Sequence, residues 1–162
     1  MDLQHNVERL AATEAIRDLI YQYSHLIDRG ELTVVAELFA DATYGQCDAN
    51  GIPIGGLIDR DPAAVLRANE SFVQMHGNPP TPGTKHVITN VRVSVADNNI
   101  EASAHSYITV LQGTDELPLQ PILIGRYFDT FGCIDGRWRF TQRLCRIDRT
   151  GDLTAHARRA LS

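Results

Sequence analysis

An α+β domain is the fold class this sequence predicts, and two observations predict it. The N-terminal half alternates helical periodicity with one hairpin, and the C-terminal half is a run of four segments rich in branched and aromatic residues. Short turns join those four segments, and consecutive strands joined that way pair antiparallel, so helices come first and a meander follows.

From Val7 to Arg29, apolar residues recur at Leu10, Ile16, Leu19, Ile20, Tyr23 and Ile27, spaced by threes and fours, and Gly30 follows where a left-handed C-terminal residue sits. This spacing predicts a long amphipathic first helix. A short second helix is expected from Thr33 to Ala40, with the Thr33 hydroxyl capping its first turn and Asp41 ending it. Thr43 to Cys47 reads as a strand, Asn50-Gly51 as a tight turn, and Ile54 to Ile58 as the returning strand. Asp61-Pro62 opens a third helix, with Asp61 as N-cap and Pro62 at the first helical position, and Gly77 is expected to close it after Met75 and His76. The proline-rich loop from Asn78 to Gly83 is not helical. Strands are predicted at His86 to Val95, Ala102 to Leu111, Ile122 to Phe131 and Arg137 to Ile147, with Asp97-Asn98-Asn99 and Asp135-Gly136 among the turns between them. Residues 1–150 form one domain on this reading. Residues 151–162 are a polar tail whose role is not legible.

Composition narrows the function classes. At 162 residues and 43% hydrophobic content, one domain can enclose a core and still leave a cavity. The net charge of −5, without any Lys/Arg run, argues against a nucleic-acid or anionic-membrane partner. Cys47, Cys133 and Cys145 are odd in number and match no ligand pair or disulfide framework, which fits a reducing compartment. Met1 to Arg9 is polar where a signal peptide is apolar, and no run of 18 apolar residues occurs, so a cytoplasmic, soluble protein is expected. Gly51, Gly55 and Gly56 form no phosphate cradle, and no Gly-x-Ser-x-Gly elbow is present. His5, His25, His76 and His156 are scattered without ligand spacing, so no metal site is expected.

The residues with catalytic chemistry each have two readings. His86 opens a strand after the Pro/Gly-rich loop; it is either a partly exposed histidine bonded to backbone or a base whose ordinary pKa suits proton transfer near neutrality. Asp28 lies in the last turn of the first helix, off the centre of the apolar stripe, as a solvated acid would. Arg17, Tyr21, Ser24 and Asp28 nonetheless follow one another at helical spacing, a polar stripe able to line a cavity. Tyr23 and Tyr44 are either core aromatics or hydroxyl donors. Arg143 is either an outer-face salt bridge or a pocket cation, and the side of the sheet that His105 faces depends on register.

Ala15-Ile16-Arg17-Asp18-Leu19, Ile27-Asp28-Arg29-Gly30 and Glu37-Leu38-Phe39-Ala40-Asp41 resemble the opening of SnoaL-like domains of the nuclear transport factor 2-like superfamily. So does Lys85-His86-Val87-Ile88-Thr89-Asn90. The closing stretches, Ile122-Leu123-Ile124-Gly125-Arg126-Tyr127 and Asp135-Gly136-Arg137-Trp138-Arg139-Phe140 with Arg143, are similar to that family's last two strands. The spacing of Asp28, His86 and Arg143 most resembles hexachlorocyclohexane dehydrochlorinases, and the Tyr23/Asp28/His86 set resembles scytalone and bile-acid 7α-dehydratases, lyases that use no metal.

The resemblance implies a cone-shaped α+β barrel, in which a long N-terminal helix and two further helices pack on a strongly curved, mainly antiparallel sheet. It also implies a cofactor-free lyase or isomerase in which His86 is the base and Asp28 orients it, with Tyr23, Tyr44, Arg143 and, more weakly, His105 contacting substrate. The expected ligand is a small hydrophobic, cyclic molecule, and the expected assembly a homodimer or homotrimer. The alternative is a non-catalytic module that binds a ligand or supports oligomerisation, like the small subunits of ring-hydroxylating dioxygenases.

Overall fold

The computed structural model describes residues 3–158. Helix α1 runs over Leu3–Asp28, longer at its start than the apolar pattern predicts. Its first turns are held from outside: Arg9 donates through Nη2 to the Val95 carbonyl at 2.9 Å and pairs with Asp97 at 3.1 Å. Leu10 lies off the buried stripe and is exposed, whereas Ala12, Ile16, Ile20, Tyr23 and Ile27 are buried. The helix ends as Gly30 predicts. At φ +75°, Gly30 lets its own amide bond Ile27 O at 3.0 Å and the Glu31 amide bond Leu26 O at 3.1 Å, the paired closure of a Schellman motif.

Helix α2 covers Leu32–Glu37, so Thr33 lies inside it and not at its cap; Glu31 occupies the cap position without a side-chain bond. Burial of Leu32, Val35 and Ala36 starts this helix one residue earlier than the hydroxyl signal suggested. Strands β1 (Thr43–Cys47) and β2 (Pro53–Asp59) form the expected hairpin. Its turn is set by Asp48, whose carboxylate accepts from the amides of Asn50 and Ile52, with Gly51 at φ +81°.

Helix α3 spans Pro62–Phe72, and the Asp61 carboxylate caps it by accepting from the Ala64 amide at 2.9 Å. It stops well before Gly77 because Val73 turns extended and bridges Ala157, so its neighbour is the returning tail.

Strands β3 (Thr84–Val95), β4 (Glu101–Gln112), β5 (Gln120–Ile134) and β6 (Arg137–Thr150) form the meander. With β1 and β2 they make one six-stranded sheet of order β2-β1-β6-β5-β4-β3, antiparallel except where β1 runs parallel to β6. Register shifts at Ile124/Gly125 and Thr130/Phe131 bend the β5–β6 pair, and a side chain at Gly125 would collide with the Arg146 carbonyl. The result is a curled sheet wrapped around α1. β2 and β3 remain its two edges, so the sheet is open and not a closed barrel.

Candidate functional site

The sheet curls because bulged strands twist more, and its concave face meets the C-terminal half of α1. That meeting builds the site. Asp28, the last residue of α1, faces the first residues of β3. One carboxylate oxygen, Oδ1, accepts from the Thr84 hydroxyl at 2.8 Å and lies 2.6 Å from His86 Nδ1, while Oδ2 accepts from the His86 amide at 2.8 Å. Both side chains are about nine-tenths buried. Burial alone would raise the Asp28 carboxyl, but the bonds and charge offered by His86, with the Thr84 hydroxyl, outweigh it and hold the carboxyl below its usual value. An ionised carboxylate on Nδ1 fixes the ring as the Nδ1–H tautomer while neutral, which leaves Nε2 as the basic nitrogen.

The polar stripe of α1 does not line the cavity as a stripe. Arg17 pairs with Glu14 and Tyr21 is exposed; only Ser24 and Asp28 turn inward. Asp28 is aimed by the helix end, where the chain closes against β3, more than by its place on the helical wheel.

A cavity of about 420 Å³ opens beside this pair. His86 and the three tyrosines Tyr23, Tyr44 and Tyr127 contribute to its wall, and Ile27, Phe72, Ile108, Val110, Ile122 and Ile147 supply much of its apolar surface. The rings of Tyr23 and His86 meet edge to face at 6.2 Å, and those of Tyr23 and Tyr127 at 6.0 Å. Burial pushes all three phenols above their ordinary value, although Arg143 opposes it, so they are proton donors at neutral pH. Cys145 also lines the cavity; burial pushes its thiol up to about 12, which keeps it protonated and unreactive.

Arg143 faces inward but does not reach the cavity wall. It is 1% exposed, donates through Nε and Nη2 to the two oxygens of Asp129 at 2.9 and 2.7 Å, and lies over the rings of Tyr127, Tyr23 and Phe140 at 4.1, 4.4 and 4.7 Å. Burial opposes its charge, yet Asp129 holds the guanidinium above its ordinary value. Burial also pushes Asp129 up, but a bidentate carboxylate on a guanidinium that keeps its proton is an ion pair. Neither sequence reading of Arg143, outer-face bridge or substrate contact, describes this place: the pair supports the tyrosines from behind.

His105 is corrected in the same way. It pairs in register with Phe128, is exposed on the convex face and packs edge to face on that ring at 4.8 Å. The alternation of β4 turns Ala104, Ser106 and Ile108 inward, and His105 with them would need a one-residue slip.

Sequence reasoning missed four contributors. Thr84 stands two residues before His86, a spacing that puts both on one side of β3, and Tyr127 alternates with Asp129 and Phe131 on β5. Asn69 on α3 and His156 in the tail carried no local signal at all. The tail reaches the site because it is bound to the exit of α3: the Gln74 amide donates to His156 O at 2.8 Å, the Arg158 amide to Phe72 O at 2.8 Å, and Gln74 Nε2 to Thr154 O and Ala157 O at 3.0 Å each. His156 is 8% exposed, and burial, with His86 and His76 nearby, lowers its pKa to about 4. Among the described residues, no three or more His, Cys, Asp or Glu side chains converge as metal ligands, and no helix is long and apolar enough to cross a membrane.

A search of curated proteins found no match. Solved structures give the fold. The chain is 26% identical to a candidate scytalone dehydratase from Novosphingobium aromaticivorans, with a TM-score of 0.65 over 91% of each chain. It is 20% identical to the beta subunit of a candidate aromatic-ring-hydroxylating dioxygenase from the same organism, with a TM-score of 0.68 over 93% of this chain and 97% of that one. It is 19% identical to LinA, with a TM-score of 0.65 over 93% and 95%. The sequence profile of the SnoaL-like domain matches residues 8–144, which hold Asp28, His86 and the whole curled sheet up to Leu144. A match of that extent, on a fold these neighbours share, makes this chain a member of the SnoaL-like domain family, within the nuclear transport factor 2-like superfamily.

Proposed function

We propose that the protein is a cofactor-independent lyase or isomerase that abstracts a carbon-bound proton through His86, oriented by Asp28. The 2.6 Å contact between His86 Nδ1 and Asp28 Oδ1 carries this reading, since it leaves Nε2 to take the proton and a carboxylate to stabilise the imidazolium that forms. The C–H electron pair then moves onto the adjoining carbon framework. In an elimination it becomes a C=C bond as the leaving group departs from the next carbon with its bonding pair, either as halide or as a hydroxyl that takes a proton from the His86 imidazolium or a tyrosine hydroxyl and leaves as water; in an isomerisation the proton returns at another carbon. Negative charge that develops on a substrate oxygen meets the neutral hydroxyls of Tyr23, Tyr44 and Tyr127.

The likeness to a candidate scytalone dehydratase supports elimination, and the apolar wall supports a small hydrophobic, cyclic substrate. Because Arg143 is spent on Asp129, the substrate is read as uncharged. A non-catalytic ligand-binding or oligomerisation module, the other reading of this fold, has no use for histidines and tyrosines converging on one cavity. The convex face, with Val87, Tyr107 and Ile124 exposed, supports assembly as a homodimer or homotrimer.

The test follows proton exchange at the acidic α-carbon of 2-tetralone, a bicyclic ketone, by NMR in deuterated buffer. His86→Ala and Asp28→Asn are expected to lower enzyme-dependent exchange by about 10²–10⁴-fold. Wild-type exchange rates in both variants would overturn the proposal.

A further inference from the structure

Two residues that line the cavity carry buried polar groups which the chemistry above leaves over. His156 Nδ1 and Asn69 Nδ2 are both buried, both belong to residues that line the same cavity as His86, and neither has a hydrogen-bond partner among the described residues. They come from elements that have no part in the Asp28–His86 pair, α3 and the C-terminal segment. Both are held firmly. The Phe72 ring, three residues after Asn69, packs edge to face on His156 at 5.7 Å, and the segment carrying His156 is bonded on both sides to residues 72–76.

We infer that Asn69 and His156 form an oxygen-binding pole of the cavity, which takes an uncharged hydroxyl or carbonyl oxygen of the ligand. Asn69 Nδ2 only donates, so the group it meets must accept. His156 serves either class, donating from Nδ1–H to a carbonyl or accepting at Nδ1 from a hydroxyl, according to tautomer. An anion is disfavoured because, among the described residues, no Lys or Arg side chain lines the cavity, and burial keeps His156 neutral near pH 7. A cation is disfavoured equally, since no Asp or Glu among the described residues lines it. A pure hydrocarbon would leave both polar groups unmatched, which is the discrimination a buried polar site exerts. The substrate class under the proposed function is therefore narrowed to oxygen-bearing neutral molecules, an inference that rests on reading this cavity as the ligand site.

The experiment compares dissociation constants of three probes of similar skeleton, 2-tetralone, the hydrocarbon tetralin and the anion 2-naphthoate, by ligand-observed NMR titration of the full chain. The wild type is expected to bind 2-tetralone about tenfold or more tightly than either of the others. Asn69→Leu and His156→Phe are each expected to narrow that margin, with the tyrosine hydroxyls supplying what remains, while tetralin affinity stays unchanged, which also reports an intact cavity. His156→Gln, which keeps a neutral donor and acceptor, is expected to retain it. An unchanged margin in both apolar variants, or no margin in the wild type, overturns the inference. His86→Ala is expected to lose exchange yet keep the ketone preference, so failure of the oxygen pole and failure of the proton-abstraction reading give different results.

Discussion

The Arg143–Asp129 pair gives the sharpest test of the physical account. Replacing Asp129 with Asn leaves the Arg143 guanidinium in place, 1% exposed, with the carboxylate that took its two short hydrogen bonds gone. Two unit charges about 4 Å apart attract by about 4 kcal/mol at an effective dielectric of 20, and breaking one side of a buried pair typically destabilises by about 3–5 kcal/mol. The two figures agree. They predict a loss of about 3–5 kcal/mol in urea unfolding of Asp129→Asn, read from the midpoint at constant slope. Cation–π contacts with Tyr23, Tyr127 and Phe140 soften the loss without replacing the counter-charge. The double change Asp129→Leu/Arg143→Met removes both charges at similar volume, and it is expected to recover most of the stability. A loss below about 1 kcal/mol in the single variant, or no recovery in the double, refutes the assignment of this pair as a buried, charged support for the tyrosines.

Two further outcomes follow from the structure. Burial lowers the His156 pKa to about 4, so between that value and the ordinary histidine value near 6.5 the unfolded chain binds the proton that the folded chain refuses. Stability is therefore expected to fall by up to about 3 kcal/mol as pH drops from about 6.5 to about 4, and His156→Phe is expected to flatten that part of the profile in urea titrations. Asp28, also held low, weakens the fold only at more acidic pH, below the ordinary carboxylate value, so the two contributions separate along the pH axis. Light scattering is expected to find two or three copies per particle, and Tyr107→Lys on the exposed convex face is expected to shift the particle toward the monomer. A monomeric wild type would remove the assembly from the account.

The sequence made much of the Asp28–His86 pair legible, by an imperfect route. A helical wheel put Asp28 off the apolar face, and the polar stripe through Arg17 and Tyr21 turned out to face solvent. The carboxylate still meets His86, because Gly30 ends α1 within two residues of Asp28 and the chain geometry places that end against β3. Local rules describe one element at a time, and this contact belongs to the join between two. His105 shows the opposite failure: its identity suggested chemistry, but a period-two strand assigns it to the convex face, and only the pairing with Phe128 reveals which face that is.

What the sequence by itself determined was the element order, the α+β class and most strand boundaries, because periodicity, turn residues and caps such as Asp61 and Gly30 act over a few residues. It also carried the Asp28 and His86 identities that family resemblance picked out. Tertiary structure alone decided that Arg143 is consumed by Asp129, that the sheet curls without closing, and that His156 returns from the tail to line the cavity beside Asn69. Each of these depends on which residues distant in the chain share one buried volume. No local pattern encodes that, since the same arginine or histidine at the same spacing is equally compatible with solvent.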